Sequence, residues 1–195
     1  MQMLSSKLNF VKTSATAKIH NLILNKQESG EKVLNLSVGE SDFNTPDNIV
    51  NSAQNALNSG YTRYTSTSGL DLLKNTILKK LETENLLYYK KNEVIVCSGG
   101  KQVIFNALMA TLNPNDEVIV PAPYWVSYPD MVTLCGGKPV ILQTNFKNMF
   151  KLTPSELKKN ITIKTKWLIL NSPSNPTGQV YIDKELSDIC EVLDD

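Results

Sequence analysis

The chain has 195 residues, 41% of them hydrophobic, enough to bury one sizeable core and to set aside wholesale disorder. Its 20 Lys and Arg against 19 Asp and Glu leave a net charge of +1, which removes any compositional argument for nucleic-acid or anionic-membrane partners. Arg63 is the only arginine, so rigid two-pronged carboxylate clamps are scarce in this stretch.

The elements follow in order. Ser14 is positioned to cap a helix ending near Asn25, before the polar Gln27–Gly30 turn. Val33–Val38 reads as a short strand, and Gly39 to Pro46 as a loop. Ile49, Val50, Ala53, Ala56 and Leu57 fall on one face of a helix over Asp47–Leu57. The hydroxyl-rich Gly60–Ser68 stretch lacks periodicity, and a second helix is expected over Leu70–Glu84. The pattern then alternates: strand Glu93–Cys97, helix Gln102–Leu112, strand Glu117–Pro121, helix Trp125–Cys135 and strand Lys138–Leu142. A short helix capped by Thr153, an apolar strand Trp167–Leu170 and a last helix capped by Asp183 complete it. Strands alternating with helices imply an α/β fold with a mostly parallel open sheet.

Cys97, Cys135 and Cys190 lie far apart and form no CxxC pair, which argues against a disulfide framework or zinc knuckle. His20, the single histidine, has no Cys or His at metal-ligand spacing. The first 25 residues lack a signal peptide's continuous apolar run, and no segment reaches the roughly 18 apolar residues of a membrane span. The expectation is a soluble, cytoplasmic protein.

Three loops after strands could carry chemistry. Ser98-Gly99-Gly100-Lys101-Gln102 joins a strand to a helix N-terminus, where converging N–H groups and the helix dipole favour a phosphate, although an ordinary tight turn has the same sequence needs. A nucleotide P-loop is excluded, because Ile95 stands where its first Gly belongs and Gln102 where its Ser or Thr belongs. Pro121–Pro129 places Trp125 and Tyr128 beyond a strand end, where an aromatic ring could stack on a flat ligand or simply fill core. Asn171-Ser-Pro-Ser-Asn-Pro-Thr-Gly178 is stiffened by two prolines and offers the Asn175 amide as donor and acceptor, or serves as a plain Pro/Gly turn.

Together these loops, with Val38–Pro46, Tyr61-Thr-Arg-Tyr64 and Gly69, resemble the fold-type I aminotransferases that use pyridoxal 5′-phosphate, nearest to the bacterial aspartate/prephenate subgroup of the aspartate aminotransferase family. Ser41 departs from the proline usual in the first of these motifs. The resemblance implies a three-layer fold with a parallel-dominated sheet. It implies that Gly39 contacts the substrate carboxylate, and that Gly100, Lys101 and Gln102 cradle the cofactor phosphate. Trp125 would stack on the ring and lie against substrate, and Asn175 would bond the phenolic oxygen. Tyr64 would reach the phosphate in a neighbouring subunit, hence a homodimer, and Lys12 would bear on substrate breadth toward prephenate.

The resemblance further implies an N-terminal arm or small-domain segment over 1–45 and an incomplete cofactor-binding large domain over 46–195. The Schiff-base lysine, the acid opposite the pyridine nitrogen and the carboxylate-clamping arginine would lie downstream of Asp195. The expectation is therefore a transaminase acting on an amino acid, L-aspartate first, and a 2-oxo acid such as 2-oxoglutarate, with these residues inactive alone. The alternative is a non-catalytic fragment serving as a dimerisation or binding module.

Overall fold

The computed structural model describes residues 4–11, 15–37, 39 and 41–194. Two compact units divide the chain: Met1–Val33 with Ile104–Asp195, and Leu34–Val103.

The first unit is built on a three-stranded sheet of β1 (Glu117–Ala122), β2 (Lys138–Gln143) and β3 (Thr165–Leu168), in the order β2-β1-β3. Both pairings are parallel, with Ile119 opposite Val140 on one side and Leu168 on the other. Side chains alternate faces along a strand, so β1 feeds two cores. Val118 and Val120 pack with Leu108 of α4 (Gly100–Thr111), Leu112 just after it, and Met131 and Val132 of α5 (Ser127–Leu134). Ile119 packs on the opposite face with Leu142, Leu157 of α6 (Pro154–Asn160) and Ile189 of α7 (Asp183–Asp194). Helices thus cover both faces, giving the three layers expected, and β1 is buried along nearly its whole length.

Helix ends follow local chemistry. Thr153 caps α6 as expected: its hydroxyl accepts the Glu156 N–H, the Glu156 carboxylate accepts the Thr153 N–H, and Pro154 opens the helix. At α7 the expectation needs correction. Asp183 is the first helical residue, and Glu185 is the group that reaches back, its Oε2 accepting the Ile182 N–H at 2.8 Å. α5 starts at Ser127, two residues later than expected, leaving Trp125 in the preceding loop. α1 (Ala15–Glu28) runs past Asn25 and stops before Gly30, whose φ is +84°. Ser14 lies outside the described residues.

The second unit contains α2 (Asp47–Asn58) and α3 (Asp71–Asn85), both within a residue or two of expectation. The expected strand at Glu93–Cys97 does not form. A short 3₁₀ turn covers Lys91–Glu93, Val94 continues in extended backbone, and the Val96 N–H donates to the Ser68 carbonyl at 3.0 Å. Extended residues become a strand only when a neighbour supplies a ladder, and one bond to a loop is not a ladder. The expected strand over Val33–Val38 is likewise absent among its described residues. Gly69 sits where the two segments close: its φ is +107°, and a Cβ would lie 2.7 Å from Val96 Cγ2. Beside it Lys74 is buried, its Nζ donating to Ser68 Oγ at 2.9 Å.

Among the described residues no helix is long and apolar enough to cross a membrane, and no group of three His, Cys, Asp or Glu side chains could hold a metal ion.

Candidate active-site loops

In the second unit, the loop before α4 takes the form a phosphate would need. Gly99 adopts φ +85°, and its carbonyl accepts the N–H groups of both Gln102 and Val103, so the helix begins at Gly100. The Gln102 Oε1 turns back to accept the Ser98 N–H at 2.5 Å, which fixes the loop against the first helical turn. A Cβ at Gly99 or Gly100 would meet nothing within 4 Å, so the backbone there is open to an approaching anion. Lys101 is exposed beside it, and Tyr64 is fully exposed on its own loop. Gly39 is exposed, while its neighbours Val38 and Glu40, and Lys12, lie outside the described residues.

In the first unit, two loops beyond strand ends form one open pocket lined by Tyr124, Tyr128, Asn171, Asn175, Gln179 and Tyr181, among others. The loop from Asn171 is held by its own hydrogen bonds. Asn171 Oδ1 accepts the Asn175 N–H at 2.9 Å, Ser174 and Gly178 close a tight turn, and Ser172 Oγ accepts the Tyr181 N–H at 3.1 Å. The backbone is thereby fixed, and the Asn175 side chain remains exposed at the pocket wall. Trp125 meets Tyr128 edge to face, with centroids 5.3 Å apart, and packs against the first core. It is half-buried and is not among the residues lining that pocket.

Behind the pocket lies a polar support that no sequence motif marked. Tyr181 is buried, and its hydroxyl accepts the Leu152 N–H at 2.7 Å. The Lys151 ammonium sits 5.7 Å from the Tyr181 ring centre and pairs with both Glu185 oxygens at 2.9 and 2.8 Å. That hydrogen bond, with the Ile182 N–H, holds the Glu185 carboxyl below its ordinary range. Burial pushes the Tyr128 and Tyr181 hydroxyls up, so both stay protonated at neutral pH. Tyr124 and Asn171 lie inside the two loop motifs, which assign them no role. Lys151 and Tyr181 stood in none, because their partners are 34 and 29 residues away in sequence.

Known proteins resemble the chain over almost its whole length. The family profile for aminotransferase class I and II matches residues 31–195. The aspartate/prephenate aminotransferase of Cereibacter sphaeroides is 51% identical over 193 residues, which are 99% of this chain and 48% of that protein. The probable aspartate/prephenate aminotransferase of Rickettsia conorii is 48% identical over the same length. Among solved structures, the aspartate aminotransferase of Rhizobium meliloti superposes with a TM-score of 0.93 at 40% identity, covering 99% of this chain and 48% of that one. The Thermus thermophilus aspartate aminotransferase with maleate gives 0.94 at 39% identity, covering 98% and 50%. The chain thus spans about half the length of the relatives it matches. With that profile matched from residue 31 to the last, and the sheet and loops arranged as above, the chain belongs to the class I and II aminotransferase family.

Proposed function

We propose that the chain carries the cofactor-holding part of a pyridoxal 5′-phosphate-dependent aminotransferase that moves an amino group between L-aspartate and a 2-oxo acid such as 2-oxoglutarate. The names of the relatives, aspartate/prephenate aminotransferases, support aspartate as a substrate and prephenate beside it. Bound pyridoxal phosphate supplies an electron-withdrawing ring and a carbonyl group able to take up the amino group.

The groups present suit such a ligand. The glycine-opened start of α4 is a match for a phosphate dianion, through the N–H groups of Gly100 and Lys101, with Gln102 fixing the loop. The Asn175 amide is a match for a phenolic oxygen, and it stands on a loop whose backbone is already bonded, so ordering it on binding costs little. Trp125 would cover the ring face and border the substrate, whose carboxylate Gly39 would meet through its backbone. Lys12 would widen substrate choice. Tyr64, fully exposed here, would reach the phosphate in the second subunit of a cytoplasmic homodimer. The division into a segment over 1–45 and a large domain over 46–195 belongs to this reading.

The single observation that carries it is the self-bonded Asn171–Gly178 loop presenting Asn175 to the pocket. The test is a titration with pyridoxine 5′-phosphate, which keeps the ring, phenolic oxygen and phosphate but has no aldehyde to react with surface lysines. Saturable binding, weakened about 10-fold in Asn175→Ala as expected for one lost hydrogen bond to a charged group, supports the reading. Tighter binding of ATP, or an Asn175→Ala variant equal to the parent, sinks it. These 195 residues alone are expected to show no aspartate-to-2-oxoglutarate transfer, and measurable turnover would overturn that part. A second reading, a non-catalytic dimerisation or binding module, is favoured by the large exposed apolar side chains Leu34, Leu36 and Phe43.

A further inference from the structure

We infer that Tyr181 is a positioning residue: through bonds at its backbone and its hydroxyl it sets where the Asn175 amide stands at the pocket wall. The inference rests on the proposed contact between Asn175 and a phenolic oxygen. Tyr181 itself stands outside the Asn171–Gly178 motif.

The loop's own bonds settle its shape and leave its place open. Asn171 Oδ1 accepts the Asn175 N–H at 2.9 Å, and the Ser174 carbonyl accepts the Gly178 N–H at 2.7 Å. Both partners of each bond lie inside the loop, so it could tilt as one piece with these bonds intact. A bond that leaves the loop runs to Tyr181, whose N–H donates to Ser172 Oγ at 3.1 Å.

Tyr181 is held in turn from its far end. It is buried in the second core with Ile119, Leu142 and Leu152. Its hydroxyl accepts the Leu152 N–H at 2.7 Å, and Leu152 is buried as well, so water has no ready access to replace that bond. The adjoining residues repeat the tie in the opposite direction. Lys151 Nζ pairs with both Glu185 oxygens, and Glu185 Oε2 accepts the Ile182 N–H at 2.8 Å. Residues 151–152 and 181–182 are therefore joined twice, once through the Tyr181 side chain and once through that of Lys151. A double joint resists rotation, which a single bond does not.

Tyr181 also lines the same pocket as Asn175. One residue thus borders the pocket, ties the loop by its backbone and ties the core by its hydroxyl. A hydrogen bond weakens steeply when misaligned, so a small tilt of the loop would cost the Asn175 contact without unfolding anything.

The experiment is a double-mutant cycle read by titration with pyridoxine 5′-phosphate. Tyr181→Phe keeps the ring in the core and removes the bond to Leu152. Ser172→Ala removes the acceptor of the Tyr181 N–H at an exposed residue, and keeps the test decisive should Tyr181→Phe lose its fold. Each should weaken binding about 5-fold in the parent, but by less than about 1.5-fold in the Asn175→Ala background. A merely structural role would weaken both backgrounds alike, and that result overturns the inference. A second readout needs no ligand. Amide exchange at Asn175 and Gly178 should speed by on the order of 10-fold in either variant, while Val118 and Val120 in the sheet stay protected. Unchanged exchange at Asn175 and Gly178 overturns the inference whatever the ligand does. Faster exchange in a chain whose parent binds no pyridoxine 5′-phosphate would sink the reading of the pocket and uphold the role of Tyr181 in placing the loop.

Discussion

Residues 34–103 and the rest of the chain use the same apolar vocabulary with opposite results. Every buried apolar side chain among the described residues lies in the unit containing the sheet, from Ile23 and Leu108 to Ile189. In the other unit the one buried residue among those described is Lys74, while Ile49, Val50, Leu57, Leu72 and Leu73 are exposed. Both units hold amphipathic helices, so the difference does not come from local pattern. It comes from whether a second layer stands opposite the apolar face, as β1 does for α4 and α5.

The largest effect that can test this contrast is at the sheet centre. Ile119 is fully buried between β1's neighbours, and Ile119→Ala should cost about 2–5 kcal/mol in urea unfolding. A loss below about 1 kcal/mol would mean that this face collapses around the cavity and is no core at all.

Next comes the polar support behind the pocket. Lys151 is buried and Glu185 is one-third exposed, so Lys151→Met leaves a carboxylate only partly hydrated. After allowing for that exposure, the expected cost is about 1–2 kcal/mol. The pH dependence has a definite sign. Glu185 is held below its ordinary value of 4.5, first by the Lys151 hydrogen bond and then by the Ile182 N–H. Its contribution is therefore complete above that value and is lost as pH falls through the lowered one. Lys151→Met should flatten stability across that acid window, and an unchanged acid profile would remove the ion pair from the account.

These cases also mark what could be read from sequence. β1, β2, α2, α3 and the Thr153 cap follow from period, turn residues and a capping box, which are all local signals. The second core's ties do not: the Tyr181 to Leu152 bond spans 29 residues and the Lys151 to Glu185 pair spans 34. Glu93–Cys97 has the composition of a strand, but composition cannot say whether a neighbour is there to complete the ladder. The shapes of the loops at 98–102 and 171–178 were legible because glycine and proline fix backbone conformation locally. That Asn175 shares one pocket with Tyr124, Tyr128 and Tyr181 needed the fold.

A smaller effect probes the seam between helix and sheet. Trp167 Nε1 donates to Thr111 Oγ1 at 2.9 Å, joining β3 to α4 at the edge of the first core. Thr111→Val keeps the shape and leaves the indole N–H without that acceptor, for an expected loss of about 1 kcal/mol. Indole fluorescence of Trp167 during unfolding would report it directly. A neutral result would mean that water replaces the hydroxyl.

The smallest effect is the most informative about the other unit. Leu57 lies on the same face of α2 as Ile49 and Ala53, in a helix with no buried residue, and is 62% exposed. In a β1-like setting its truncation would cost several kcal/mol; here Leu57→Ala should stay within about 0.5 kcal/mol, because Ala and Leu also have similar helix propensity. The measurement should be repeated over a range of protein concentrations. A cost above about 1.5 kcal/mol that grows with concentration would show that a second molecule covers this face in solution. A neutral, concentration-independent result would mean that α2's apolar stripe contributes nothing until a partner surface arrives, so its pattern encodes an interface and not a core.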